Sequence, residues 1–127
     1  MLYVTGQIKF MGINDAITIN AGASLTIYNA GASGVFNFIN NANSTPDTFQ
    51  YYGLPSNTSL TLRGQDFLVA AVYAPNADFF MNGGGTTYGS IVANSAKLTG
   101  SGTFHFDECL INKGKTRGFI ITSWNEL

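Results

Sequence analysis

The chain has 127 residues, enough for one domain that buries roughly 60% or more of the surface its unfolded form exposes. Charged residues make up 10% of it and the formal net charge is −1, which excludes the basic surface that nucleic acid or an anionic membrane would need. Cys109 is the one cysteine, so an intramolecular disulfide is excluded, and no apolar run approaches the ~18 residues of a membrane span. We therefore expect no nucleic-acid partner, no membrane insertion by this segment and no cofactor.

A short triplet, in which two apolar residues flank a polar one, recurs from one end of the chain to the other. Its nine occurrences are Ile8–Phe10, Ile17–Ile19, Leu25–Ile27, Phe36–Phe38, Phe49–Tyr51, Leu60–Leu62, Ala77–Phe79, Ala96–Leu98 and Phe104–Phe106. This alternation is the two-residue period of a strand with one buried and one solvated face. The triplets therefore predict short strands throughout the chain.

Residues that favour sharp turns separate the triplets. They are Gly12, Asn14–Asp15, Asn20–Gly22, Asn29–Gly31, Asn82–Gly85 and Thr99–Gly102. Glycine and asparagine tolerate the left-handed backbone that a corner requires. The segment 40–48 breaks the rhythm and predicts a protruding loop, whereas the apolar run Phe67–Ala74 predicts a buried strand that ends at a corner at Pro75.

A longer repeat distinguishes a solenoid from an antiparallel sandwich. The segment Ala71–Ala74 is echoed by Ser90–Ala93 nineteen residues later, and another triplet follows each. Repeats of this length with several short strands are typical of stacked coils, because a single coil cannot bury its own inward side chains. We predict an all-β, right-handed parallel β-helix of about six coils over residues 1–110. Residues 111–127 are predicted to form a turn and a capping strand, with a linker to a following domain as the alternative.

Three ordered motifs resemble one known bacterial family. They are Val72–Asp78, Tyr88–Ala93 and Leu98–Glu108, and the opening segments Leu2–Gly6 and Ala23–Tyr28 are similar to that family's first coils. The family consists of β-helix domains found at the C-terminal end of PilX-like type IV pilus assembly proteins and of other cell-envelope proteins. The resemblance implies an extracellular or cell-surface location within a longer exported protein, and it supplies no catalytic residues.

Polar residues that point outward from the predicted strands form a candidate binding surface. They are Thr18, Thr26, Asn37, Thr61, His105 and Asp107. Hydroxyls and amides in register would suit a glycan, and exposed tyrosines would be the groups that stack on sugars. Regular threonines also suit an ice surface, but Lys9, Asp78 and Lys97 interrupt the array. His105 and Asp107 share one strand face, yet one His and one Asp do not complete a metal shell, so we expect no metal site.

These observations favour a non-catalytic structural or display module of a bacterial cell-surface or pilus-associated protein. The expected partners are further copies of the chain, a cell-surface protein or a glycan. A glycan- or protein-binding adhesin is the first alternative. A polysaccharide lyase or hydrolase is the second, but the seven acidic residues are scattered along the chain, and we expect no enzyme.

Overall fold

The computed structural model describes residues 1–63 and 67–108, and these form a parallel β-solenoid of about four turns. The strands are β1 Leu2–Val4, β2 Ile8–Phe10, β3 Ala16–Ile19, β4 Leu25–Asn29, β5 Ser33–Phe36, β6 Phe38–Asn41, β7 Phe49–Gly53, β8 Ser59–Arg63, β9 Phe67–Asn82, β10 Thr86–Thr99 and β11 Thr103–Phe106. One 3-10 turn, Pro46–Thr48, lies in the predicted loop. The predicted capping segment 111–127 falls outside the described residues.

The strands stack in three columns, and every pair is parallel. Ladder A joins β1, β4 and β7 to the middle of β9 and of β10. Ladder B joins β2, β5 and β8 to the later parts of β9 and β10. Ladder C has two separate parts: β3 pairs with β6, and the beginning of β10 pairs with the beginning of β9 and with β11. The prediction of a parallel β-solenoid is confirmed.

Because side chains alternate along each strand, the inward apolar side chains of successive coils lie above one another inside the solenoid. In ladder A the in-register residues Ile27, Tyr51 and Val72 are all buried. In ladder B, Leu60 and Phe79 occupy the same inward position. A side chain in one coil thus packs on its counterpart in the next, and the stack of coils supplies the core that no single coil has.

The number of turns is smaller than the sequence repeat predicted, about four instead of about six. The reason is that the coils differ in length. In ladder B, Ile8 pairs with Gly34 and Gly34 with Leu60, a repeat of 26 residues, whereas Leu60 pairs with Phe79 after 19 and Phe79 with Ala96 after 17. The echo between Ala71–Ala74 and Ser90–Ala93 measures only the later, shorter coils. The early coils have longer corners, and one includes the segment 42–48.

Two local predictions are wrong. The triplet Phe36–Phe38 spans a corner between β5 and β6, where the backbone N–H of Asn37 donates to the Phe10 carbonyl at 2.8 Å. The strand β9 does not end at Pro75 but continues through it. The pairing of β9 with β10 skips from Ala74 to Asp78, so Pro75 lies in a bulge between them. At this position the strand needs no backbone N–H for the ladder, and a proline is therefore tolerated.

A polar cluster is buried between ladders A and B. The Tyr51 hydroxyl accepts a hydrogen bond from Asn29 Nδ2 at 2.8 Å and donates one to Asn57 Oδ1 at 3.0 Å. The two asparagines also bond the corner around Gly31: Asn29 Oδ1 accepts from its N–H and Asn57 Nδ2 donates to its carbonyl. The cluster therefore joins two successive coils, because Asn29 and Gly31 belong to the coil of β4 and β5, whereas Tyr51 and Asn57 belong to the coil of β7 and β8.

Candidate binding surface

The structure places the predicted threonines on three separate ladders. Thr18 lies on ladder C beside Asn40, Thr26 lies on ladder A beside Gln50, and Thr61 lies on ladder B between Val35 and Phe80. Thr26 and Gln50 are in register. The three hydroxyls face different directions around the solenoid, and the fold does not bring them together into one array.

The other three predicted residues lie at one corner and at the last described coil. Asn37 is at the corner after β5, where its Nδ2 donates to the Met11 carbonyl at 2.7 Å. His105 projects from β11 into solvent, and its ring stacks on Tyr88 with centroids 4.9 Å apart. Asp107 is half-buried just after β11, and its backbone N–H donates to the Gly89 carbonyl. His105 and Asp107 are thus the only two of the six predicted residues that lie on the same coil and ladder.

A column of tyrosines runs along the outside of ladder A. Its in-register members, here called the tyrosine column, are Tyr3, Tyr28, Tyr52 and Tyr73. The rings of Tyr28 and Tyr52 stack with centroids 4.9 Å apart and planes 12° apart. Tyr28 and Tyr52 therefore cover one face of each other, whereas Tyr52 and Tyr73 are tilted at 52° with centroids 6.4 Å apart. The stacked pair joins two successive coils, and the end members Tyr3 and Tyr73 are 61% and 52% exposed.

The tyrosine column carries a sequence signal that the triplets do not reveal. Each tyrosine directly follows the residue at the inward position of ladder A, namely Leu2, Ile27, Tyr51 or Val72, of which the terminal Leu2 is 48% exposed. Recognising this pattern requires the coil lengths, which vary along the chain. It becomes visible only when the register is known.

A cleft lies on ladder C where the protruding loop passes the later coils. Its volume is about 360 Å³, and it is lined by Asn41, Ala42, Asn43, Ser44, Phe67, Val69, Tyr88 and Asp107. Phe67 on β9 and Tyr88 on β10 are diagonal neighbours, since Phe67 pairs with Thr86 and Tyr88 with Val69, and their ring planes are inclined at 48° with centroids 5.6 Å apart. Both rings remain exposed, at 52% and 38%. This cleft, which we call the ladder C cleft, combines two aromatic rings with a few polar groups, the usual composition of a small-ligand site.

The loop side of the cleft is held by asparagine hydrogen bonds. Asn41 Nδ2 donates to the Val69 carbonyl at 3.0 Å and thereby joins β6 to β9. Asn43 Nδ2 donates to the carbonyls of Asn20 and Ala23, and Asn43 Oδ1 accepts from Gly22 N. Their amide groups are occupied in fixing the loop. The remaining polar side chains of the lining are those of Ser44, Tyr88 and Asp107.

Tyr51 and Asp78, whose pKa values are shifted, lie away from this cleft. Burial raises the pKa of Tyr51, against the lowering effect of its bonds with Asn29 and Asn57. Hydrogen bonds from Ser95 and Asn94 lower the pKa of the exposed Asp78 carboxyl, which they hold at 2.7 and 2.9 Å. Within residues 1–63 and 67–108, no three His, Cys, Asp or Glu side chains come close enough together to hold a metal ion.

In the part of the chain that the structure describes, no helix is long and apolar enough to cross a membrane.

The comparisons with known proteins give a family. Neither the curated proteins nor the solved structures include a match to this sequence. The profile of one family, described as a domain of unknown function (DUF7305), matches residues 1–113. Since that match covers most of the 127 residues, the chain belongs to the DUF7305 family.

Proposed function

We propose that this domain is a non-catalytic structural module that displays or connects parts of a bacterial cell-surface or pilus-associated protein. The observation that supports the proposal best is the set of parallel ladders that join successive coils, in which β9 pairs with β7, β8 and β10. A force along the axis meets many backbone hydrogen bonds at once. Such a stack suits a rigid spacer better than a site that must open and close.

The interior of the stack supports the same role. Tyr51, Asn29 and Asn57 satisfy one another inside the core, so the buried polar groups are used for cohesion between coils. The tyrosine column adds a second connection outside ladder A. Side chains that connect neighbouring coils, both inside and outside the solenoid, favour a rigid structural role over a catalytic one.

The sequence motifs support the location. The resemblance of Val72–Asp78, Tyr88–Ala93 and Leu98–Glu108 to the domains that end PilX-like assembly proteins suggests a place outside the cell. The low content of charged residues fits a surface that is hydrated by short polar side chains. We therefore propose that a longer exported protein carries this domain in the bacterial envelope.

Display on the cell surface can be tested in the full-length protein. An epitope inserted in the exposed corner at Ile13 should be labelled by antibody on intact cells, because this corner projects from the first coil. The control is the same epitope on a cytoplasmic protein, which should be labelled only after the cells are permeabilised. Labelling of the domain only after permeabilisation would exclude an extracellular role.

The absence of catalysis is tested separately. The purified chain should release no reducing ends and no unsaturated products from neutral or acidic polysaccharides. Turnover that is abolished by Asp107→Ala would contradict the proposal and would support a lyase or hydrolase instead.

The second candidate function, a glycan- or protein-binding adhesin, is favoured by one observation, the ladder C cleft with its two exposed rings.

A further inference from the structure

We propose that the tyrosine column is an oxidative cross-linking site, at which Tyr28 and Tyr52 become joined by a carbon–carbon bond between their rings. The product is dityrosine, and the co-reactant is hydrogen peroxide with a haem peroxidase. This inference goes beyond the proposed structural role, because it assigns a covalent modification to the outer face of ladder A. Its failure would leave the role of the coils as a rigid module intact.

Tyr28 and Tyr52 form the closest ring contact of the tyrosine column. They stand in register on β4 and β7, with centroids 4.9 Å apart and planes 12° apart. This separation is close to that between the centres of two directly bonded rings. In-register residues of neighbouring strands lie about 4.8 Å apart, so rotation of the two side chains brings the ring edges together while the ladder stays in place. The fold therefore holds the two phenols as reaction partners before any oxidant acts.

The exposure of the column allows an oxidant in solution to reach it. Tyr3 and Tyr73, at its two ends, are 61% and 52% exposed, and Tyr28 and Tyr52 are half-buried. Tyr73 also contacts Tyr52, with ring centroids 6.4 Å apart. Tyr51 differs from its neighbour in sequence, because it is 1% exposed and its hydroxyl is bonded on both sides inside the core. The reaction is therefore expected on the outer column and not in the core.

The cross-link is a two-electron oxidation of the two phenols. Each phenol loses one electron and one proton and becomes a phenoxyl radical, whose unpaired electron is shared with the ring carbons next to the oxygen. The two radicals form one bond between such carbons, and the hydrogen atom on each of these carbons moves to its oxygen, which restores two phenols. Hydrogen peroxide takes up the two electrons and two protons and becomes two molecules of water. The new bond joins the coil of β4 covalently to the coil of β7.

The test treats the 127-residue chain, at low concentration, with hydrogen peroxide and a haem peroxidase, and then isolates the monomer by size exclusion. The monomer should acquire the fluorescence of dityrosine. Cleavage before aspartate residues separates Tyr28 from Tyr52, because Asp47 lies between them. Mass spectrometry should then find the two peptides joined, with a mass equal to their sum less two hydrogen atoms.

Two matched variants locate the cross-link. Tyr52→Phe keeps the ring but removes the phenol, and it should abolish the joined peptides. Tyr88→Phe is the control and should leave their yield unchanged, since the ring contacts of Tyr88 are with Phe67 and His105 on ladder C. The proposal is overturned if the monomer contains no dityrosine, if the joined peptides persist in Tyr52→Phe, if Tyr88→Phe lowers their yield as much, or if cross-links form only between molecules.

Discussion

At the level of single residues, the Tyr51 hydroxyl decides how the polar core is satisfied. It lies in the apolar column of ladder A between Ile27 and Val72, yet its oxygen is bonded on both sides by asparagines. The sequence predicts Tyr51 as an inward residue of a triplet and Asn29 as a corner residue. It does not predict that the two meet, because their contact depends on the register between consecutive coils.

Replacing Tyr51 by phenylalanine should destabilise the fold although the ring is retained. The change leaves Asn57 Oδ1 buried without the Tyr51 donor, and Asn29 Nδ2 keeps only its bond to the Ser33 carbonyl. We expect a loss of about 1–3 kcal/mol in the free energy of unfolding, measured by urea denaturation. The matched control is Tyr52→Phe, whose hydroxyl is outside and has a long 3.4 Å contact with Gln50, and its effect should stay within about 0.5 kcal/mol. Equal effects of the two changes would show that the buried cluster does not stabilise the coils.

The same hydroxyl makes stability depend on alkaline pH. Burial raises the pKa of Tyr51 above its ordinary value of 10.0, so the fold favours the protonated phenol. The stability that the protonated phenol contributes is fully present below about pH 10, and it is lost as the pH rises through the higher pKa of the folded state. Urea denaturation across this range should therefore show that the wild type loses more stability than Tyr51→Phe. Curves that remain parallel above pH 10 or so would contradict the assignment.

At the level of elements, the strands were more predictable than their ends. Most triplets lie in strands because alternation reports directly on one buried face. The exceptions have physical causes: Phe36–Phe38 alternates across a corner, and the register shift at Pro75 lets β9 continue where a proline usually ends a strand. The ladder C cleft was not predictable, since it joins a loop of one coil to aromatic residues of two later coils.

The close pairing of β9 with β10 depends on Gly89. Its φ is +147°, and a Cβ at this position would lie 1.7 Å from the carbonyl oxygen of Ala70 in β9. Gly89→Ala should therefore cost roughly 3 kcal/mol or more in the free energy of unfolding, because both the backbone conformation and the strand spacing must change. Gly6→Ala is the control, since a Cβ there meets nothing within 4 Å and should change stability by less than about 1 kcal/mol. A mild effect of Gly89→Ala would mean that β9 and β10 are not packed this closely.

At the level of the whole molecule, the class of fold follows from the sequence, but the number of turns does not. Strand alternation and a repeat of nineteen residues are sufficient for a stacked parallel architecture. In ladder B the repeat is 26 residues in the early coils and shortens to 19 and then 17 residues towards the end of the described chain. Corner loops can vary in length without disturbing the ladders. Dividing the chain length by the repeat of nineteen residues therefore overestimates the number of solenoid turns.

The most direct test of the stacked solenoid is a map of contacts between backbone protons of neighbouring strands, measured by NMR. Contacts are expected along the parallel rungs Ile27–Tyr51–Val72 of ladder A and Leu60–Phe79–Ala96 of ladder B. Contacts that instead join strands consecutive in sequence, such as β4 with β5 in an antiparallel hairpin, would contradict the stacked solenoid.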